Sequence, residues 1–165
     1  MSERLVRHLA NYAAYHRDRR NVATHMVGIP LIVLAVEVLL ARPRLAIGGI
    51  EIAAVDLAIV AACCFYFTLD RRLACAMAVV LAVGKVIAGK LAEQDTATWL
   101  SWGIGLFVTG WLIQFLGHWW EGRKPAFLDD LRGLLIGPLF VLAEAAFHFG
   151  RRLELRGQIE ARLAR

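Results

Sequence analysis

At 165 residues the chain suits one domain, 1–165, and 59% of its residues are hydrophobic, in blocks rather than at amphipathic spacing, so it reads as an integral membrane protein rather than a soluble one. The net charge is +5, but the basic residues flank the apolar blocks and no basic face alternates with aromatics, which argues for contact with anionic lipid and for no nucleic-acid partner. Cys63, Cys64 and Cys75 lie in or beside apolar runs with no C-x-x-C pair, the usage of small buried hydrophobes rather than of disulfides or a zinc site.

The N-terminal "MSERLVRHLANYAAYHRDRRN" lacks a cleavable signal pattern and is expected to stay on the protein as an anchor. A membrane-crossing helix needs about 20 mostly apolar residues, and four segments qualify: about 22–40, 47–69, 73–91 and 98–120. "ARPR" ends the first, because Pro43 cannot continue a helix and disfavours helix at Arg42. Only "DRR" separates the second and third, which predicts a tight antiparallel helical hairpin. The fourth carries Trp99, Trp102, Trp119 and Trp120 near its ends as interfacial anchors, and Gly103, Gly105 and Gly110 to admit a close neighbour.

Basic residues cluster before the first span (Arg4, Arg7, Arg17, Arg19, Arg20), between the second and third (Arg71, Arg72) and after the fourth (Arg123, Lys124, Arg132). The "EQD" loop has none, so the positive-inside rule places both termini in the cytoplasm, against the minority vote of Arg42 and Arg44. Residues 134–149 are apolar but short, contain Pro138 and have basic flanks; they read as an interfacial or re-entrant helix, with a fifth span as the alternative. The tail "GRRLELRGQIEARLAR" reads as a solvated or membrane-surface amphipathic helix. The predicted fold is an all-α integral membrane helical bundle, multi-pass, in a bacterial inner membrane or an internal membrane. A homo-oligomer is compatible with it.

This topology puts His16, His25, His118 and Glu121 at similar depth on one face of the bilayer, where ionisable groups are costly unless paired or bound. Gln114, His118 and Glu121 share one face of the fourth helix, and Asn21 and His25 share one face of the first. His16 and His25 are nine residues apart, on opposite faces of a continuous helix, and converge only if the chain bends at "RDRRN", where Asp18 or Asn21 can cap a new helix. Imidazoles with a carboxylate form the ligand set of a non-haem Fe(II) oxygenase, and zinc accepts the same ligands. By default, interfacial histidines are anchors, and His8 and His148 are read so. Glu37 and Lys90 are expected to snorkel, and Asp56 and Lys85 to pair between helices.

Two blocks, "YAAYHRDRRNVATHMVGIP" and "QFLGHWWEGRKPAFLDDL", resemble the membrane 2-hydroxy fatty acid dioxygenases, Fe(II)-dependent proteins of fatty-acid α-oxidation. The likeness rests on Tyr15, His16, Asn21, His25 and Pro30, then on Gln114, Gly117, His118, Glu121, Arg123, Pro125, Ala126 and Asp129, and more weakly on Pro138 and Glu144. It implies that O2 oxidises a 2-hydroxy fatty acid at Fe(II) and shortens it by one carbon. It also implies His16, His25 and His118 as iron ligands. Two residues separate His118 from Glu121 where the family pattern has three, so Glu121 is rotated by about 100° and suits a group that orients a histidine as well as it suits a ligand. Arg123 or Lys124 is expected to pair with the substrate carboxylate, with Asn21 and Gln114 also at the substrate site. Two other readings stay open: a non-enzymatic membrane module that binds lipid or a partner, and a metal-dependent lipid hydroxylase. Five histidines without an H-x-x-H-H cluster argue against a di-iron site.

Overall fold

Asp18 divides the N-terminal region into two helices. Its side chain accepts from the Arg20 amide and caps the second of them. The computed structural model describes residues 2–125 and 128–164; Ala126, named above, lies outside them. The first helix, α1 (Glu3–Ala13), buries Leu5, Val6, Leu9, Ala10, Tyr12 and Ala13 along one stripe and turns Arg4 and Arg7 outward. A short turn carrying His16 leads to α2 (Arg19–Ala41), which ends at "ARPR" as expected.

The expected second span, 47–69, is not one helix. Its start belongs to a β-hairpin, β1 (Arg44–Ile47) and β2 (Ile50–Ala53), and the helix α3 begins only at Ala54 and ends at Phe67. Gly48 and Gly49 both have positive φ, the two-residue turn that matches strand twist. The 14 residues of α3 cover about 21 Å, short of the roughly 30 Å hydrocarbon core. The bundle is therefore all-helical apart from this hairpin.

After α3 come α4 (Arg71–Ala92) and α5 (Thr96–Glu121), capped by Asp70 and Asp95. Both Asp boundaries follow the same chemistry as Asp18, a carboxylate on free first-turn amides. Among the described residues three helices, α2, α4 and α5, are long and apolar enough to cross a membrane. The next two, α6 (Gly133–His148) and α7 (Leu153–Leu163), are bent by 117° at their junction and make a fourth candidate if taken as one broken span.

The α2–α5 pair forms the spine. It is antiparallel: His25 lies opposite His118, Gly28 opposite Gly110, and Leu39 opposite Gly103. A Cβ on Gly110 would stand 2.9 Å from the Gly28 carbonyl, and one on Gly117 would collide with Thr24 and Asn21. Gly103 and Gly110 meet the expectation of close approach, but Gly105 faces open space and Gly117 takes its place in the row. Arg42, one of the two charges that count against the topology, is occupied: it donates to the Ala92 and Gln94 carbonyls and to Thr96 Oγ1, and stacks 4.5 Å from the Trp99 ring. Asp56 pairs with Lys85 between α3 and α4, as expected.

Elsewhere the structure differs from the sequence reading. Glu37 does not snorkel; it is buried, wedged where a Cβ on Gly84 of α4 would sit. The tail helix α7 is not merely solvated, because Leu155 and Ile159 enter the core beside α1. Arg152 precedes it and binds Asp70 at 2.6 Å, tying α7 to the α3–α4 corner. The expected interfacial segment is α6, whose Ile136, Leu139, Phe140, Ala143 and Phe147 are buried in the core.

Candidate metal centre

The turn between α1 and α2 delivers His16 to the face of α2 that carries His25. Two anchors hold that turn. Glu121, the last residue of α5, accepts from the amides of Arg17 (3.0 Å) and Asp18 (2.8 Å) and from Asn21 Nδ2 (3.1 Å). Arg123 donates Nη1 to the Ala14 carbonyl at 2.9 Å. A carboxylate on amides that precede a helix is favoured by both hydrogen bonding and the helix dipole.

The result is a buried cluster of His16, His25 and His118, with ring centroids 4.3–5.1 Å apart and one candidate ligand atom from each within 4.8 Å of the others. His16 Nδ1 lies 2.7 Å from the Tyr12 carbonyl and His25 Nδ1 lies 2.9 Å from the Asn21 carbonyl. A carbonyl only accepts, so both Nδ1 atoms carry protons and both Nε2 atoms present lone pairs. These two Nε2 atoms face each other at 2.9 Å. Burial pushes His16 down to about 4, so it is neutral at pH 7. Two facing lone pairs repel unless a cation stands between them, and three converging imidazoles, two of them with tautomers fixed by carbonyls, are the donor set of a borderline divalent metal. The residues present fit a metal.

Unpaired polar atoms surround the cluster. Among the described residues, four buried side-chain atoms lack a hydrogen-bond partner, and three of them are here: Asn21 Oδ1, Gln114 Oε1 and His118 Nδ1. Orphaned buried groups are costly, so a polar ligand at this point relieves a penalty. A cavity of about 60 Å³ adjoins the histidines, with Gln114, Trp111, Ile29 and Pro125 in its wall.

The sequence-predicted residues divide accordingly. His16, His25, His118, Asn21 and Gln114 come together. Glu121 is at the centre's edge with its oxygens committed to the His16 turn. Arg123 and Lys124 are exposed and line no cavity described here; Lys124 pairs with Asp129 at 2.5 Å, which also accepts from Tyr15 at 2.9 Å. His8 is half-buried and His148 exposed, both apart from the cluster. Tyr12 is the residue that sequence reading missed: its carbonyl sets the His16 tautomer and its ring stacks on His16 at 4.2 Å. The signal was its place four residues before His16, one helical turn away.

The class this describes is a helical bundle, with helices apolar enough to fit a multi-pass membrane protein, that buries a three-histidine centre at one end of its spine. The match is more specific than that. Residues 2–149 match the family described as "2-hydroxy-palmitic acid dioxygenase Mpo1-like", and the chain belongs to it. A relative from Saccharomyces cerevisiae, the 2-hydroxy-palmitic acid dioxygenase MPO1, is 26% identical over 154 residues, which cover 92% of this chain and 85% of that protein. No solved structure matches the chain.

Proposed function

We propose that the chain is a non-haem Fe(II) dioxygenase that shortens 2-hydroxy fatty acids by one carbon, working in a membrane with both termini on the cytoplasmic side. The observation that carries this reading is the pair of His16 and His25 Nε2 atoms aimed at one point, with His118 beside them. The named activity of the yeast relative supports the oxidative chemistry and the substrate class.

His16, His25 and His118 would hold the iron, which when bound supplies the activation of O2. The Tyr12 and Asn21 carbonyls keep two of the ligands in the correct tautomer. Gln114 Oε1 is a free acceptor in the cavity wall, suited to the substrate's 2-hydroxyl, while Asn21 Oδ1 lies against Gly117 beside the centre. Arg123 gives one of its five donors to Ala14 and keeps the others for the substrate carboxylate. Lys124, neutralised by Asp129, is the weaker candidate for that role. The apolar wall of Ile29, Trp111 and Pro125 excludes water from the reacting carbon.

Metal analysis of anaerobically purified protein from iron-replete cells tests the reading. Near-stoichiometric iron is expected, lost in His16→Ala, His25→Ala and His118→Ala while helicity is kept. With O2 and 2-hydroxyhexadecanoic acid the iron-loaded protein is expected to release the acid one carbon shorter. Zinc in place of iron, or iron retained in all three variants, would overturn it.

A further inference from the structure

The cavity at the histidines shares Ile32, Val33, Trp111, Leu134 and Pro138 with a second cavity of about 340 Å³. The shared walls place the second directly beside the first. It runs between α2, α3, α5 and α6, past Val36 and Phe107 to Glu37 and Leu40, with Ala62, Ile59 and Val55 along α3. Val36, Phe107 and Leu135 on its rim are exposed, so it opens sideways toward the bilayer.

One carboxyl interrupts this largely apolar lining. Glu37 is only 5% exposed, and its Oε1 has no partner among the described residues. It also lines a third cavity, of about 360 Å³, between α2, α4 and α6. With Val33 and Pro138 it forms the wall between two apolar spaces, its carboxyl held against Gly84. A lone carboxyl at that depth is costly and calls for a function.

We infer that the second cavity seats the acyl chain of the 2-hydroxy acid, and that Glu37 sets the longest chain it accepts. This rests on the reaction proposed above. Along α2, Glu37 is twelve residues beyond His25, which is roughly 18 Å, the reach of a long acyl tail rather than a short one. A chain that ends before Glu37 lies wholly against apolar walls. A longer chain must press methylenes onto a buried polar group, a discrimination of about tenfold or more per methylene.

A 2-hydroxyhexadecanoic acid with a diazirine at its terminal carbon reads the seat without turnover. Photolysed without O2 on the iron-loaded protein in detergent, and competed with unlabelled 2-hydroxyhexadecanoic acid, it is expected to label Glu37, Leu40 or Val55. Competed label confined to the outer face of α4, at Val79 or Val86, or to the third cavity, would overturn the seat. Chain-length profiles read the stop. Glu37→Ala, which joins the two spaces, is expected to raise the ratio of longer- to shorter-chain turnover at least tenfold. Glu37→Gln keeps the partition and the profile, and Ala62→Trp, which blocks the cleft midway, shifts preference to shorter chains. Unchanged profiles in Glu37→Ala and Ala62→Trp would overturn the stop. Competed label at Glu37 with no turnover of any 2-hydroxy acid would uphold the seat and count against the reaction.

Discussion

Glu121 and His118 are separated by one turn of α5, yet they act in different places. The imidazole enters the histidine cluster, while the carboxylate receives the amides of Arg17 and Asp18 and the Asn21 side chain. The i, i+3 spacing sets Glu121 about 100° around the helix from where an i, i+4 spacing would put it, and from there it reaches the Arg17–Asp18 turn. Glu121 therefore positions His16 through the turn. Glu121→Ala is expected to weaken metal binding about 10–100-fold, and Glu121→Gln less, since its amide oxygen still accepts. His16→Ala should abolish binding. Titration against a competing chelator separates these outcomes, and a loss in Glu121→Ala as complete as in His16→Ala would make Glu121 a ligand.

At the scale of elements, the geometry of the centre is set by how closely α2 and α5 approach. Gly103, Gly110 and Gly117 are seven residues apart, two turns of α5, and each faces a part of α2 that leaves no room for a Cβ. Gly110→Ala and Gly117→Ala are expected to cost about 1–3 kcal/mol each by overpacking. Gly105→Ala, which meets open space, should fall within about 0.5 kcal/mol. Thermal unfolding in detergent reads all three. Gly117→Ala should also impair iron retention, because its methyl meets Asn21, whose carbonyl orients His25. Equal stability of the three variants would sink the close-approach argument. In the sequence Gly103 and Gly110 are indistinguishable from Gly105, since which face of a helix meets a neighbour depends on that neighbour.

For the whole molecule, the charge distribution and the fold agree on which end holds the chemistry. The histidine centre, the α3–α4 corner with Arg71 and Arg72, and Arg123 all lie at the end of the bundle where α2 begins and α5 finishes. Arg42 at the opposite end is held by the α4–α5 corner and the Trp99 ring, while Arg44 beside it is exposed. A variant lacking Cys63, Cys64 and Cys75 and carrying Gln94→Cys should react with an impermeant maleimide added outside intact cells. One carrying Ser2→Cys should react only after lysis. The reverse pattern would invert the proposed orientation.

Local signals carried the helical class, the ends of α2, α4 and α5 to within about three residues, and the candidacy of the five polar residues that the fold brings together. Those features are local: an apolar block, a capping Asp, a Pro, a spacing within one helix. The hairpin at Gly48–Gly49 was also local, but it was masked by the apolar run that continues through it into α3. Only the tertiary structure decided that His16 and His25 converge, that Glu121 serves the turn between them, and that Glu37 is buried as a partition. Each of these depends on contact between residues far apart in the chain, where helix periodicity gives direction around one axis but not the position of the next helix.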